Sequence, residues 1–468
     1  MSDPAVLATS TRASVCSPAG YGKTHLIGHA LLAGPDKRHL VLTHTHAGVH
    51  AVRKRFTQLG VSKNRYRIDT IAGWALQYAQ AFPTTTHYTK PAQALQEDWP
   101  TVYSGVAELL RSSPANAIVT ATYVGAYVDE YQDCSLPQHA LMTALAELIP
   151  CRVLGDPLQA IFDFAEPTVD WNNDVVTTFP ALPPLTQAHR WNHDPAFAAW
   201  LHQARITLEN NQPLSLRNGL PTAVRVLRTA TFPERNRAIL QTVNQKRATG
   251  KTVVITQWPR QCHQLARQTP GVYVLEPVDG EDFAIAAAQL SAPTGANRVN
   301  NLLAFAATCF TGFDQQQQQR LSRAAQGTTR TRSTANNQQI AALKMVYDAN
   351  DLAPIPDALT ALADMDGVRV TRPELFNEVK RAFVAFREGG HETVHDALAA
   401  TRQRTRQAGR ALSQQTMGRT LLIKGLEFEH AILVAPEELN TQNLYVAITR
   451  GTHSLTFVTN ADALHPGR

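Results

Sequence analysis

The sequence predicts an α/β protein built on two parallel sheets, with two mostly helical segments inserted into them. Three observations carry that expectation. Short β-branched, apolar runs alternate with longer helical stretches along most of the chain, the rhythm of parallel strands joined by helical crossovers. The first such run leads through a glycine-containing loop into a helix, and a later one ends in two adjacent carboxylates. Two long stretches, residues 76–121 and 281–400, lack convincing strand signals and read as insertions.

The strand runs, in order, are Ala13–Cys16, Leu40–Thr43, Tyr123–Val128, Arg152–Gly155, Arg225–Arg228, Lys251–Thr256, Val272–Leu275, Ala431–Val434 and Leu455–Thr459. They divide the chain into a first α/β domain, 1–75 and 122–190, split by a small helical insertion at 76–121. A second α/β domain, 191–280 and 401–468, is split by the insertion at 281–400. Within that second insertion, Gln315–Gln319 and the Thr/Arg/Asn-rich Gly327–Gln339 read as an exposed mobile loop. Arg402, Arg404, Arg406 and Arg410 form a basic run ahead of the last α/β part, suited to a solvated helix face or to nucleic acid.

At 468 residues the chain has room for several cores. Its 44% hydrophobic and 18% charged residues are ordinary for a globular protein. Net charge is 44 − 38 = +6, with a pI near 9.1, which tilts toward a polyanionic partner. Cysteines 16, 134, 151, 262 and 309 are odd in number and scattered, with no Cys-x-x-Cys pair. That argues for a reducing compartment and against disulfide, zinc and iron–sulfur frameworks. Met1–Ser14 shows no secretory pattern, and the longest apolar patch, Leu302–Phe310, is about half a membrane span. The expectation is a soluble, cytoplasmic protein with no membrane partner.

Ser17-Pro18-Ala19-Gly20-Tyr21-Gly22-Lys23-Thr24 follows the first strand and opens a helix at His25, the context a phosphate loop requires. Gly20 and Gly22 let backbone N–H groups converge on phosphate oxygens, aided by the helix dipole. Lys23 would reach the β- and γ-phosphates, and the Thr24 hydroxyl would ligate Mg²⁺. Ser17 stands where the usual pattern has its first glycine, and Pro18 removes one N–H donor. Asp129-Glu130-Tyr131-Gln132-Asp133 ends the third strand run. Adjacent carboxylates repel, so a cation is expected on Asp129, which leaves Glu130 to orient or deprotonate a water. The two motifs together describe a nucleoside-triphosphate hydrolysis site, and they are expected on neighbouring parallel strands.

Further motifs follow in order: Gly155-Asp156-Pro157-Leu158-Gln159-Ala160-Ile161-Phe162, Gln187-Ala188-His189-Arg190, Lys424-Gly425-Leu426-Glu427-Phe428, and Leu444-Tyr445-Val446-Ala447-Ile448-Thr449-Arg450. In this order and spacing the chain resembles the superfamily 1 helicases of the UvrD/Rep/PcrA type, over residues 15–190 and about 415–460. The resemblance implies two RecA-like P-loop NTPase domains and an ATP- and Mg²⁺-dependent helicase or translocase. It would move on single-stranded or partly duplex DNA, 3′-to-5′.

By that resemblance Lys23, Thr24, Asp129 and Glu130 match the two Walker motifs. Gln159 senses the γ-phosphate, and Arg190 and Arg450 reach it from either side of the cleft. Glu427 lies near the ribose, with Gly425 beside it. Tyr21, His25 and His189 complete the nucleotide site, His189 standing where the family often stacks a tyrosine on the base. Phe162 and Phe164 match the stretch that stacks unpaired bases. Thr43, His44, Thr70 and Trp74 match two other DNA-contacting motifs, with Trp74 equally suited to core packing. Departures are the absence of a glutamine ahead of Ser17, which leaves base selectivity open, Ala165 in place of an arginine, His44 in place of a phenylalanine, and the lack of a histidine before Lys424.

Two apparent motifs carry no expectation. Glu378-Val379-Lys380 lacks the upstream aspartate of a nuclease, and His44 with His46 lacks a third metal ligand. Short insertions suggest a second reading, a DNA- and nucleotide-binding switch subunit with little unwinding. It would work beside a nuclease or another protein subunit, as the small UvrD-like subunits of the Gabija anti-phage system pair with an OLD-family nuclease. Stacking and phosphate contacts suit RNA as well as DNA.

Overall fold

The computed structural model describes residues 3–89, 98–112, 115–162, 167–277, 281–291, 294–328, 336–408 and 413–465. The α/β architecture that the sequence predicts is present as two parallel sheets. The first holds β1 (Arg12–Cys16), β2 (His39–Thr43), β3 (Tyr66–Thr70), β4 (Ala126–Val128) and β5 (Cys151–Gly155) in the order β1-β5-β4-β2-β3. The second holds β6 (Val224–Arg228), β7 (Thr252–Ile255), β8 (Tyr273–Val274), β9 (Gln415–Gly418), β10 (Phe428–Val434) and β11 (Gly451–Thr459) in the order β6-β11-β10-β7-β9-β8.

Side chains alternate faces along these strands and feed two cores per sheet. Leu40, Leu42, Ala126 and Val128 enter one core of the first sheet, with Val102, Val106 and Leu110 of the helix Trp99–Arg111 and Leu141 and Leu145 of the helix Leu136–Leu148. Val41 and Tyr127 enter the opposite core with Leu26, Ile27 and Ala30. Helices from the segment predicted as the first insertion thus share the first sheet's core. In the second sheet Val253, Ile255, Leu433 and Phe457 face one core and Val254, Ile432, Val434 and Val458 the other. The helices between Glu281 and Ala408 surround a core of their own, centred on Leu302, Leu359, Val379 and Phe383. No described helix is long and apolar enough to cross a membrane.

Several expectations need correction. Strands β3 and β9 were not predicted. β3 is an edge strand carrying Arg67 and Asp69, and β9 (Gln-Thr-Met-Gly) lacks β-branched density but is buried between β7 and β8. β4 is shorter than the predicted Tyr123–Val128, because Tyr123 N–H still closes the helix Ala115–Thr122 on Val119. Gln315–Gln319 is helical, not a loop. Asp314 caps the helix Gln315–Ala325 through a capping box with Gln317, and Leu321, Ala324 and Ala325 are buried. Part of the Gly327–Gln339 segment lies outside the described residues.

The helical unit is fastened to the edge of the second sheet by a buried ion pair. Arg372, at the start of the helix Pro373–Arg387, grips Glu276 with two bonds of 2.6 and 2.7 Å. Asp282 is a further partner of Arg372. Removing Glu276 leaves only the half-exposed Asp282 to balance the largely buried Arg372 charge. Glu276→Ala is therefore expected to cost about 3–5 kcal/mol, read as a lowered denaturation midpoint, with Glu276→Gln costing less.

Candidate active site

The loop after β1 is shaped by residues with specific conformational duties. Gly20 and Gly22 have φ of 74° and 92°, a region that L side chains rarely adopt. At Gly20 the space is taken as well, since a Cβ there would lie 2.6 Å from the Trp191 ring. Ser17 replaces the usual first glycine and is fully buried. Its N–H donates to the Gly155 carbonyl (3.0 Å) and its hydroxyl accepts from Leu185 N–H (2.8 Å), tying the loop to β5 and to the segment leading to Arg190. The Lys23 ammonium rests on the loop's own carbonyls, 2.7 Å from Ser17 O and 3.2 Å from Pro18 O.

Thr24 Oγ1 donates to Asp129 Oδ2 over 2.7 Å. The two motifs meet although their strands are not neighbours. β5 lies between β1 and β4, so the expectation of adjacency is corrected. The helix Lys23–Ala33 brings Thr24 across β5 to the end of β4. Thr24 Oγ1 and Asp129 Oδ2 are two hard oxygen donors side by side, the donor set that would suit a Mg²⁺. Burial, followed by repulsion from Glu130, pushes the Asp129 carboxyl above the usual carboxylate range.

Glu130 turns left-handed, at φ 58° and ψ 38°, which costs a residue with a side chain about 1–2 kcal/mol. The turn is held by Glu130 N–H donating to Asp129 Oδ1 (3.0 Å) and by the Gln132 amide donating to Glu130 Oε2 (2.6 Å). Burial alone would raise the Glu130 carboxyl, but Lys424 and Lys23 outweigh it and hold it at about 2. The surrounding charges thus push the proton affinities of the two adjacent acids apart.

Groups from the second sheet close the cleft. Arg450 is buried, with Nε on Val446 O (2.9 Å), Nη1 on Leu426 O (3.2 Å) and Nη2 on Gln159 Oε1 (3.2 Å). Burial and the nearby Arg190 lower its guanidinium to about 10. Arg190 pairs with Glu427 at 2.6 Å and donates to Thr449 O at 2.9 Å. Lys424 meets Asp133 at 2.5 Å, bonds the Gln159 carbonyl, and stands 5.4 Å over the Phe162 ring.

One cleft of ≈ 370 Å³ gathers Gly20, Gly22, Lys23, Thr24, His25, Thr43, His44, Asp129, Glu130, Gln159, Phe162, His189, Arg190, Gly425, Glu427 and Arg450. His189 stands over the loop, its ring edge 3.1 Å from where a Gly22 Cβ would be and 6.3 Å from the His25 ring. Tyr21 does not line the cleft; its hydroxyl is 3.4 Å from His202 Nδ1. Trp74 is corrected as a nucleic-acid contact. It is wholly buried against Tyr78, at 4.8 Å, where no base can stack. Thr70 is also buried, its hydroxyl engaged as the cap of the helix Ile71–Ala81. Phe164 lies outside the described residues. Among the described residues no cluster of three or more His, Cys, Asp or Glu forms a metal site.

Sequence reasoning overlooked Arg205, Asp156 and Trp191. Arg205 bonds buried Asp156 at 2.8 Å and the Tyr445 hydroxyl at 2.9 Å. Trp191 Nε1 donates to Gly451 O at 2.9 Å. A signal for Arg205 existed, because it lies on the apolar helix face formed by Phe197, Leu201, Ala204 and Leu208, where an arginine needs a buried partner.

No family model matches the chain and no curated protein does. Among solved structures, the Arterivirus nonstructural protein 10 helicase is similar, in its complex with DNA and alone. Both match at 11% identity and a TM-score of 0.36 over 97% of this chain. They cover 62% and 61% of the viral chains, so this chain spans about three-fifths of their length.

His44 generates a pH prediction. Burial, then the Lys424 charge, brings its imidazole down from 6.5 to about 3. Between those values the unfolded chain binds a proton that the folded chain does not. The stability is therefore present above about pH 6.5 and is lost as pH falls toward 3. His44→Phe should flatten that part of the curve, measured as denaturation midpoints at about pH 7.5 and 4.5; an unchanged slope would count against the assignment.

Proposed function

We propose that the chain is an ATP hydrolase coupled to movement on nucleic acid, a UvrD-like superfamily 1 translocase acting on single-stranded or partly duplex DNA. The observation that carries this reading is the Thr24–Asp129 contact of 2.7 Å beneath a glycine-shaped loop, with Gln159, Arg190 and Arg450 in the same cleft. Such a combination serves phosphoryl transfer by positioning and charge stabilisation.

In this reading the phosphates enter the loop and the Lys23 ammonium leaves the Ser17 and Pro18 carbonyls for the β- and γ-phosphate oxygens. Thr24 and Asp129 would hold Mg²⁺, which supplies charge neutralisation of the phosphate oxygens. Glu130, ionised and aimed by Gln132, orients the attacking water and accepts its proton. Arg190 and Arg450 stabilise the charge that develops on the transferred group. Gln159 joins Arg450 to Asp156, so the γ-phosphate position is linked to the seating of the second sheet. Phe162, half-buried under Lys424 and 6.2 Å from the His44 ring, offers an aromatic face to an unpaired base.

The polar pairs that bridge the two sheets favour one alternative, a nucleotide-dependent switch that binds DNA without travelling, within a complex containing a nuclease or other subunit. A stopped-flow translocation assay separates the two, since stimulated hydrolysis without movement supports the switch.

Lys23→Ala should lower nucleic-acid-stimulated kcat by roughly 10²–10³-fold. Glu130→Gln should lower it by roughly 10²–10⁴-fold while nucleotide binding persists. Phosphate release with single-stranded DNA, duplex DNA and RNA, across several nucleoside triphosphates, checks both variants and the substrate. Wild-type rates in either variant would sink the reading.

A further inference from the structure

Arg205 belongs to none of the motifs, yet it bonds residues of two of them, Asp156 and Tyr445. Its helix, Pro195–Glu209, packs with the second sheet through Phe197, Leu201, Ala204 and Leu208. Its guanidinium leaves that core and reaches the catalytic edge of the first sheet. Nη1 lies 2.8 and 2.9 Å from the two oxygens of Asp156, a fully buried residue. The same nitrogen is 2.9 Å from the Tyr445 hydroxyl, so its two protons serve two partners, and Nη2 pairs with Glu209 at 2.8 Å.

Both partners lead to the nucleotide site. The Tyr445 hydroxyl also accepts from the Ala19 N–H (3.2 Å), the first amide in the loop after Pro18. Asp156 accepts from the Gln159 side-chain amide (2.8 Å), and its own N–H donates to Gln132 Oε1 (2.9 Å). Gln132 in turn aims Glu130. One guanidinium thereby connects the phosphate loop, the γ-phosphate sensor and the water-orienting acid to a helix that rides with the second sheet. Only a planar fork with several donors can reach these directions at once. Stability does not demand such a group, because well-packed apolar residues commonly replace a buried ion pair without loss.

We propose that Arg205 is a positioning residue that holds Ala19, Asp156 and Tyr445 as one unit, so that displacement of the second sheet is felt at the phosphate loop. The functional part of this inference rests on the motor reading above, and the loop-holding part does not.

The test uses Arg205→Lys, Tyr445→Phe and the double variant in the full chain. Arg205 does not touch the loop, so faster exchange of the Ala19 amide in nucleotide-free Arg205→Lys, by about tenfold, is the signature of the relay. DNA-stimulated kcat should fall about tenfold in each single variant while KM for ATP moves less than about threefold. The double variant should lose no more than the worse single one. Tyr445→Phe removes the Ala19 acceptor itself, so where Arg205→Lys does not fold, Arg205→Gln carries the Ala19 expectation in its place. Ala19 exchange and stimulated kcat both within about twofold of wild type, or additive losses in the double variant, would overturn the proposal. If wild-type hydrolysis ignores nucleic acid, the motor reading fails, and Ala19 exchange alone decides the relay. An amide as protected in Arg205→Lys as in wild type then sinks it.

Discussion

Charge buried where the two sheets meet must be neutralised from the opposite side of the seam, and the site depends on that requirement. Asp133 of the first sheet's edge is met by Lys424, and Asp156 by Arg205. Taking an ion out of water costs several kcal/mol, which its partner offsets only when distance and direction are nearly right. The tolerance for sliding one sheet past the other is correspondingly small. Such pairs add little net stability, but they specify one seating of the second sheet on the first.

The same constraint separates the two adjacent carboxylates. Asp129 and Glu130 start with similar chemistry and share a strand end, yet one is pushed up to about 6 and the other held at about 2. Cations delivered by the second sheet make much of that difference. Lys424 stands at the junction of three environments, with Asp133 on one side, the Gln159 carbonyl on another and the Phe162 ring beneath. One ammonium group therefore holds an acid and an aromatic ring of the cleft together.

Much of this was legible in the sequence, for identifiable reasons. The glycine loop, Thr24 and the carboxylates are local patterns, and they meet in one cleft, though from strands separated by β5 and not from the neighbouring strands expected. Strands with β-branched runs announced themselves, whereas β9 gains its identity only from hydrogen bonds to β7 and β8. Trp74 stayed open between core and cleft in the sequence because an aromatic in a helix looks alike in either place, and its full burial decides for the core. The glutamine run at 315 looked disordered by composition, yet Asp314 and three buried side chains make it a helix. Arg205 stayed hidden since its partners lie 49 and 240 residues away, and no local pattern encodes a contact of that range.

Trp191 ties two positions together in a way that the phosphate loop's usual logic does not include. A loop glycine is ordinarily explained by the approach of phosphate. At Gly20 the place a side chain would take is occupied by an indole that is itself bonded to Gly451 of the second sheet. Positions 20 and 191 therefore form a coupled pair in sequence space. Any descendant that places a side chain at 20 must first give up the large ring at 191, and with it one contact between the loop and the second sheet. Drift at position 20 is limited by the ring at 191, independently of any ligand.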